Sequence, residues 1–248
     1  MARLKGVFIG GTGTEVGKTV FSVLLITYLK SLGLRVAPLK PAETGCQPEP
    51  LDARALLAAS GEDYPLDIVC PYRFSVPVAP EAAAEKEGVP IKFSEIKKSF
   101  DSLSADADCV VVEVAGAIDT PYAAGLTGTD IAIKLDTPVI LVTSERLGTV
   151  GQTLSAVKSL KYSDAECLGA VLSVTSPGPH GPHHDTNEKL IRSHLKDTNF
   201  FGTLPCLDIP GKSFKALPGP NLRAWAEGYL PLFRKAIGGE LEKNLPRS

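Results

Sequence analysis

The sequence GGTGTEVGKT at residues 10–19 decides the fold class of this protein. An apolar run at residues 6–9 precedes it and is typical of a buried strand, and residues 18–31 have the composition of a helix. In a strand–glycine turn–helix unit, backbone N–H groups point into the turn and the helix N-terminus adds free donors, so the turn binds phosphate. We expect Lys18 to neutralise the β- and γ-phosphates of a nucleotide and the Thr19 hydroxyl to bind Mg²⁺. Residues 10–19 are called the P-loop below.

Strand-like and helix-like segments alternate along the rest of the chain. The further strand-like runs lie at residues 34–39, 109–114, 138–142, 168–174 and 200–204. The further helix-like segments lie at residues 52–59, 94–103, 151–160, 186–195 and 222–237. This alternation predicts an α/β three-layer sandwich with a mainly parallel central sheet, the P-loop NTPase fold. We expect a single domain over residues 1–238 and a disordered tail over residues 239–248.

Composition restricts the kind of partner. The chain has 248 residues and a net charge of −2, so its overall charge gives no support for binding nucleic acid. Five cysteines, without a C-x-x-C pair, are expected to be free thiols in a reducing compartment. The sequence has no signal-peptide pattern and no run of about 18 apolar residues, which predicts a cytoplasmic protein without membrane contact.

The P-loop departs from the general pattern G-x-x-x-x-G-K-[ST] in two ways. Thr12 stands where the first glycine belongs and Gly11 comes one residue earlier, so the loop is one residue longer. Gly13 stands where ATPases of the chromosome-partitioning type carry an additional lysine. The absence of that lysine argues against the main alternative, a P-loop switch ATPase that regulates a protein partner.

The lengthened P-loop resembles that of the dethiobiotin synthetase family. Further segments resemble family motifs in the same order along the chain, and this collinearity is more specific than any one motif. They are LKPAETG at residues 39–45, PYRF at 71–74 followed by Pro77 and Pro80, VVE at 111–113, and LGTV at 147–150 followed by Thr153. The resemblance implies an ATP-dependent ligase of biotin biosynthesis. Such an enzyme uses CO2 and ATP to carboxylate 7,8-diaminononanoate and close it to dethiobiotin, releasing ADP and phosphate, and works as a homodimer.

The reaction brings two anions together, a carbamate and a triphosphate, so the site needs positive groups. The resemblance implies that Lys40 and Lys18 are catalytic, and that Thr19, Asp52 and Glu113 bind Mg²⁺. The implied ATP-binding residues are Thr14, Glu15, Val16, Gly17, Lys18, Thr19, Val20, Asp52, Glu113, Gly116, Ser173, Pro205 and Asp208. The implied substrate-binding residues are Thr14, Lys40, Thr44, Gly148, Thr149, Val150, Gly151 and Gln152. The last five residues open a helix at the dimer interface. The N-terminus of this helix would bind the carboxylate of the substrate held by the partner subunit.

Three places depart from the family pattern. Glu113 is followed by VAGA where the family has GAGG, and Pro80 is followed by Glu81 where the family has histidine. The strand that reads the nucleotide base ends in Ser173 and Val174 where the family has asparagine and aspartate, so we expect looser base selectivity. Because the glycines after Glu113 are replaced, one alternative stays open, namely that the protein is a family member with a different substrate.

Two further interpretations receive less support from the sequence. A related cobyrinic acid amidase would need a fused glutamine-hydrolysing domain, for which we expect no room after the last strand. His180, His183 and His184 form a cluster near one another, and we expect an exposed loop there in preference to a metal site.

Overall fold

The computed structural model describes residues 5–61, 64–178, 181, 183–209, 217 and 219–244. Six parallel strands form a central sheet in the order β10-β9-β8-β1-β5-β2. The strands are β1 (Gly6–Gly11), β2 (Val36–Leu39), β5 (Cys109–Glu113), β8 (Val139–Ser144), β9 (Cys167–Ser173) and β10 (Asn199–Leu204). These strands coincide with the six strand-like runs, and the predicted parallel α/β sheet is confirmed.

Helices cover both faces of the sheet. One face carries α1 (Lys18–Ser31), α2 (Leu51–Ser60), α9 (Gly219–Phe233), a π-helical segment (Arg234–Gly238) and α10 (Gly239–Asn244). The other face carries α4 (Pro80–Glu87), α5 (Phe93–Asp106), α6 (Gly128–Lys134), α7 (Thr149–Tyr162) and α8 (His184–His194).

Alternate residues of each central strand point to the two faces, as the pleat of a strand requires. Val111 packs with the α1 side, whereas its neighbours Val110 and Val112 pack with the α5 side. Both faces of the strand are therefore apolar, which explains why such strands read as continuous hydrophobic runs.

Short elements complete the structure and were not predicted. Two of them are β3 (Ala42–Thr44) and β4 (Tyr72–Phe74), which pair in parallel and so hold the two proline-containing loops side by side. Further short elements are α3 (Leu66–Val69), β6 (Pro121–Ala123) and β7 (Leu126–Thr127), and the helices α4 and α6 also lie outside the predicted segments. Strands of two or three residues carry too little periodicity to be recognised, because tertiary pairing determines them.

The C-terminal region packs against the helix that follows the P-loop. The Phe233 ring lies 5.8 Å from that of Phe21 and 5.5 Å from that of Tyr28, both on α1. Residues 239–244 form α10 with Leu241 buried, which corrects our expectation of disorder there. Residues 245–248 lie outside the described residues. None of the described helices has the length and apolar character needed to cross a membrane.

Candidate active site

A cleft of about 1120 Å³ opens at the carboxyl edge of the central sheet, beside the P-loop. Loops that follow the strands converge there, as is usual for parallel α/β folds. The predicted site residues that line the cleft are Thr14, Glu15, Gly17, Lys18, Thr19, Val20, Lys40, Thr44, Asp52, Gly116, Ser173 and Pro205. Most of the implied ATP and substrate residues are therefore brought together by the fold.

The P-loop has the geometry of a phosphate site. Gly17, the residue before α1, has a φ of 94°, and an added Cβ would overlap Ser173 Oγ, so glycine is required there. Because Gly17 has no side chain to cap α1, the N–H groups of the first helical turn remain available for an anion. Glu15 also adopts a left-handed conformation, with φ 57°, which turns successive backbone N–H groups toward the same side.

Lys18 lies along this loop, and its Nζ donates a hydrogen bond to the Gly13 carbonyl oxygen at 2.7 Å. The side chain is largely buried, so its charge is directed into the loop. Val16 is fully buried in the core on the α1 side, and any contact that it makes with a nucleotide would use its backbone.

Lys40 and Glu113 form a buried ion pair next to the P-loop. Leu39 and Val112 are paired on adjacent strands, so the residues that follow them are neighbours as well. Lys40 Nζ lies 2.6 Å from Glu113 Oε1 and 3.1 Å from Asp52 Oδ2. Thr19 Oγ1, from the first turn of α1, donates to the same Glu113 oxygen at 2.9 Å. These four side chains are called the Lys40 cluster.

The Lys40 ammonium group is charged at neutral pH. Burial alone lowers the pKa of Lys40, whereas the carboxylates around it raise the pKa, first Asp52 and then Glu113. The carboxylates prevail, and the pKa lies well above its ordinary value. Lys40 can therefore act as a fixed cation and hydrogen-bond donor, and is unsuited to take a proton from a substrate.

The Lys40 cluster also fits a magnesium ion. Glu113 is fully buried, and within the described part of the chain its Oε2 accepts no hydrogen bond. Such an oxygen is costly to bury unless a cation or donor reaches it. Thr19 and Asp52 bring further oxygens close by, and Mg²⁺ takes one or two carboxylates together with phosphate and water oxygens. No group of three or more histidine, cysteine, aspartate or glutamate side chains is placed to hold a metal among the described residues.

Glu43 is a buried residue of this region for which no role was predicted. Its two carboxylate oxygens accept hydrogen bonds from the backbone N–H groups of Asp52 at 2.9 Å and Ala53 at 2.8 Å. Pro50 precedes α2 and supplies no side-chain cap, so Glu43 caps this helix from outside it. Burial, and then the charge of Asp52, raise the pKa of Glu43. The signal in the sequence was an acidic residue in the LKPAETG segment ahead of an uncapped helix.

The segment after Glu113 keeps one essential glycine. Gly116 has a φ of 70°, and an added Cβ would lie 2.6 Å from Thr120 Oγ1, which also lines the cleft. Val114 is fully buried, so its side chain packs in the core and does not enter the cleft.

The far end of the cleft follows β9 and β10. Ser173, Val174, Thr175, Cys206, Leu207 and Ile209 line it with small or apolar side chains. Asp208, predicted to bind ATP, is not among the lining residues. Its side chain is exposed, and its carbonyl oxygen accepts a hydrogen bond from Trp225 Nε1 at 2.9 Å.

The residues implied for the substrate's carboxylate lie outside this cleft. Gly148 to Gln152 form the β8–α7 turn and the first turn of α7, with Gly148 as the residue before the helix. Leu147, just ahead of them, is 82% exposed. Gly148, Gly151 and Gln152 are exposed, whereas the Thr149 side chain is buried, and none of the five residues lines the cleft of the same chain.

The histidines differ from the expected exposed loop. His183 Nε2 and His184 Nδ1 lie 3.9 Å and 3.7 Å from Oε1 of Glu145, whose side chain is fully buried at the end of β8. Asn187 Nδ2 donates to the same oxygen at 2.9 Å. The sequence spacing between Glu145 and these histidines gave no sign of this contact. His180 lies outside the described residues.

A lengthened P-loop on a parallel sheet, with two lysines and paired carboxylates at its mouth, defines the class of P-loop nucleotide-binding enzymes. A protein-family model described as an AAA domain matches residues 5–210. Among solved structures, the chain resembles the cell division ATPase MinD of Pyrococcus furiosus, with a TM-score of 0.53, 17% identity, and coverage of 96% of this chain and 99% of that one. It also resembles pNOB8 ParA bound to nonspecific DNA, with a TM-score of 0.56, 13% identity, and coverage of 98% and 97%. Identities this low show the shared fold alone.

Sequence relatives define the family more narrowly. An ATP-dependent dethiobiotin synthetase BioD of Anaeromyxobacter dehalogenans (strain 2CP-C) is 38% identical over 70% of this chain and 78% of its own length. The protein of the same name from Xylella fastidiosa (strain Temecula1) is 32% identical over 82% of this chain and 90% of its own length. The chain belongs to the ATP-dependent dethiobiotin synthetase family, and the expected resemblance is confirmed.

Proposed function

We propose that this protein converts 7,8-diaminononanoate, CO2 and MgATP to dethiobiotin, ADP and phosphate, as a ligase of biotin biosynthesis. The observation that carries the proposal is the buried Lys40 ammonium group, 2.6 Å from Glu113 and beside the P-loop. A fixed cation at this point lies where a carbamate and a γ-phosphate have to meet.

The reaction has three bond-forming steps. One amine of the substrate attacks CO2 and loses a proton, which gives a carbamate. A carbamate oxygen then attacks the γ-phosphorus, and the bond from that phosphorus to the bridging oxygen of ADP breaks. The second amine attacks the carbamoyl carbon and loses a proton, and the C–O bond to phosphate breaks as the cyclic urea closes.

The side chains of the cleft favour the second step by charge and position. Lys18 would hold the β- and γ-phosphate oxygens, and Lys40 would stabilise the negative charge shared by carbamate and phosphate. Bound Mg²⁺, held by Thr19, Asp52 and Glu113, would supply further neutralisation of the phosphate oxygens. Thr44 lines the same part of the cleft and offers a hydroxyl to the substrate.

Apolar residues at the mouth of the cleft suit the aliphatic chain of the substrate. Leu51, Pro77 and Val78 line the cleft together with Lys40 and Thr44. A methylene chain laid along them would be withdrawn from water, which contributes about 0.8 kcal/mol per buried CH₂ group.

We propose that the active unit is a homodimer in which residues 148–152 of one subunit bind the carboxylate of the substrate held by the other. The exposure of Gly148, Gly151 and Gln152, outside their own cleft, supports the idea, because N–H groups at a helix N-terminus suit an anion. Sedimentation at several protein concentrations tests it, and a monomer under assay conditions would contradict it. We further propose that residues 1–238 belong to a single cytoplasmic domain, extended by α10, that has neither nucleic acid nor a membrane as partner.

The decisive experiment mixes the protein with MgATP, bicarbonate and 7,8-diaminononanoate and follows the cyclic urea by mass spectrometry. We expect product and ADP in equal amounts, and neither without the diamine. ATP turnover that is independent of the diamine would contradict the proposal. That result would favour the alternative, a switch ATPase acting on a protein partner, whose fold this chain shares. ATP turnover stimulated by another diamine alone would indicate a family member with a different substrate.

A further inference from the structure

Four threonine hydroxyls form a network behind the P-loop. Thr12 lies in the P-loop, Thr143 in β8, and Thr149 and Thr153 in the first two turns of α7. Thr12 Oγ1 donates to Thr143 Oγ1 at 3.1 Å, and Thr153 Oγ1 also lies 3.1 Å from Thr143 Oγ1. The Thr143 and Thr149 hydroxyl oxygens are 2.6 Å apart. These residues are called the threonine network.

Thr143 is the shared member of this network. A hydroxyl group has one proton to donate and two lone pairs to accept with. The single hydroxyl proton of Thr153 is taken by the Thr149 carbonyl oxygen at 2.8 Å, so Thr143 gives its own proton to Thr153 and accepts from Thr12 and Thr149, and its capacity is fully used. Thr143, Thr149 and Thr153 are fully buried, and water cannot replace a lost partner.

The threonine network joins two parts of the molecule that have different proposed tasks. Thr12 stands in the phosphate-binding loop, at the position where the general pattern has glycine. Its backbone N–H bonds to the Val142 carbonyl at 3.1 Å, which fixes the loop against β8. Thr149 opens α7, and Thr153 Oγ1 donates to the Thr149 carbonyl at 2.8 Å, which fixes the first turn of that helix.

We propose that Thr143 is a positioning residue that holds the P-loop and the start of α7 in a fixed relation. Within one subunit, the network then sets the donors for that subunit's own triphosphate relative to the helix start that, in the proposed dimer, binds the carboxylate of the partner's substrate. The second half of this statement rests on the proposed function of residues 148–152. Thr143 acts through its hydrogen bonds to Thr12 and Thr149, so it does not need to contact either ligand.

The test compares Thr143→Val, Thr143→Ser and Thr27→Val. Valine keeps the shape of threonine but removes the hydroxyl, and serine restores it. Thr27 is a matched control, since its buried hydroxyl donates to the Val23 carbonyl of its own helix. For Thr143→Val we expect KM to rise about fivefold to tenfold for ATP and for 7,8-diaminononanoate, the loss typical of a buried hydrogen bond. Thr143→Ser and Thr27→Val should stay within about twofold of wild type.

Two results would overturn the inference. The first is a lower melting temperature for Thr143→Val with both KM values unchanged, which would mean a structural role only. The second is a change in only one of the two KM values, which would mean that the two regions are not held together. If the wild-type protein makes no cyclic urea, the proposed function has failed, and calorimetry with a non-hydrolysable MgATP analogue decides the remaining question. Equal affinity for this analogue in wild type and Thr143→Val would then reject the role of Thr143 in the P-loop.

Discussion

The two ends of the cleft are built differently. At the phosphate end, Lys40, Glu113 and Thr19 are buried and joined by bonds of 2.6 Å and 2.9 Å. At the base end, the described lining residues include Val174, Leu207 and Ile209, and none of the described residues there is charged. A charged group is costly to bury without a partner, and the phosphate end supplies such partners. We therefore expect this protein to recognise phosphate and carbamate strictly and the nucleotide base loosely.

The largest expected effect comes from removing the cation of the phosphate end. Lys40→Ala should lower kcat by about 10²- to 10³-fold, because one preorganised donor to the reacting anions is lost. The affinity for MgATP should change much less, since the P-loop is intact. Product formation by mass spectrometry and nucleotide binding by calorimetry measure the two quantities. A kcat close to wild type in Lys40→Ala would contradict the catalytic role that we propose for this residue.

The next effect concerns the shape of the P-loop. Gly17→Ala places a methyl group against Ser173 Oγ at a residue with positive φ, so we expect at least about 100-fold weaker nucleotide binding. Gly228→Ala is the matched control. It lies within α9, an added Cβ there meets nothing within 4 Å, and alanine favours helix. Equal nucleotide affinity in the two variants would show that the P-loop tolerates a side chain.

A smaller effect is expected from the helix cap. Glu43→Ala leaves the N–H groups of Asp52 and Ala53 without their acceptor, which costs about 1 kcal/mol and loosens the start of α2. Because Asp52 is proposed to bind Mg²⁺, the Mg²⁺ concentration for half-maximal rate should rise about threefold to tenfold. Glu43→Gln keeps one acceptor oxygen and should fall between Glu43→Ala and wild type. If all three proteins needed the same Mg²⁺ concentration for half-maximal rate, Glu43 would have no influence on the metal site.

The smallest effect tests the base end directly. We expect the kcat/KM values of the wild-type protein for ATP and GTP to differ by less than about tenfold, since few polar groups are available to read the base. Ser173→Ala should change both values by a similar small factor. Competition between the two nucleotides in one reaction measures the ratio. A preference of 1000-fold or more for ATP would contradict the comparison between the two ends.

The sequence predicted the central sheet well because its strands are continuous apolar runs. The family resemblance assigned Lys40 to catalysis and Glu113 to Mg²⁺ binding, but it did not predict that the two side chains form an ion pair. Glu43 was missed because its partners are backbone N–H groups, and an acidic residue ahead of a helix without a capping residue was the one signal for it. The contact of Glu145 with His183 depends on how α8 lies against β8, a tertiary feature beyond local pattern. Asp208 was placed in the site by a rough motif match, and its exposed side chain points to the weakness of that match.

The packing of Phe233 against Phe21 and Tyr28 affects when α1 becomes fully packed during synthesis of the chain. The P-loop and α1 leave the ribosome before the last five strands of the central sheet, and α9 emerges after all six of them. Until α9 arrives, Phe21 and Tyr28 lack their contact with Phe233, and the helix that follows the P-loop is only partly packed. A nascent chain would therefore bind nucleotide firmly only after all six strands are available.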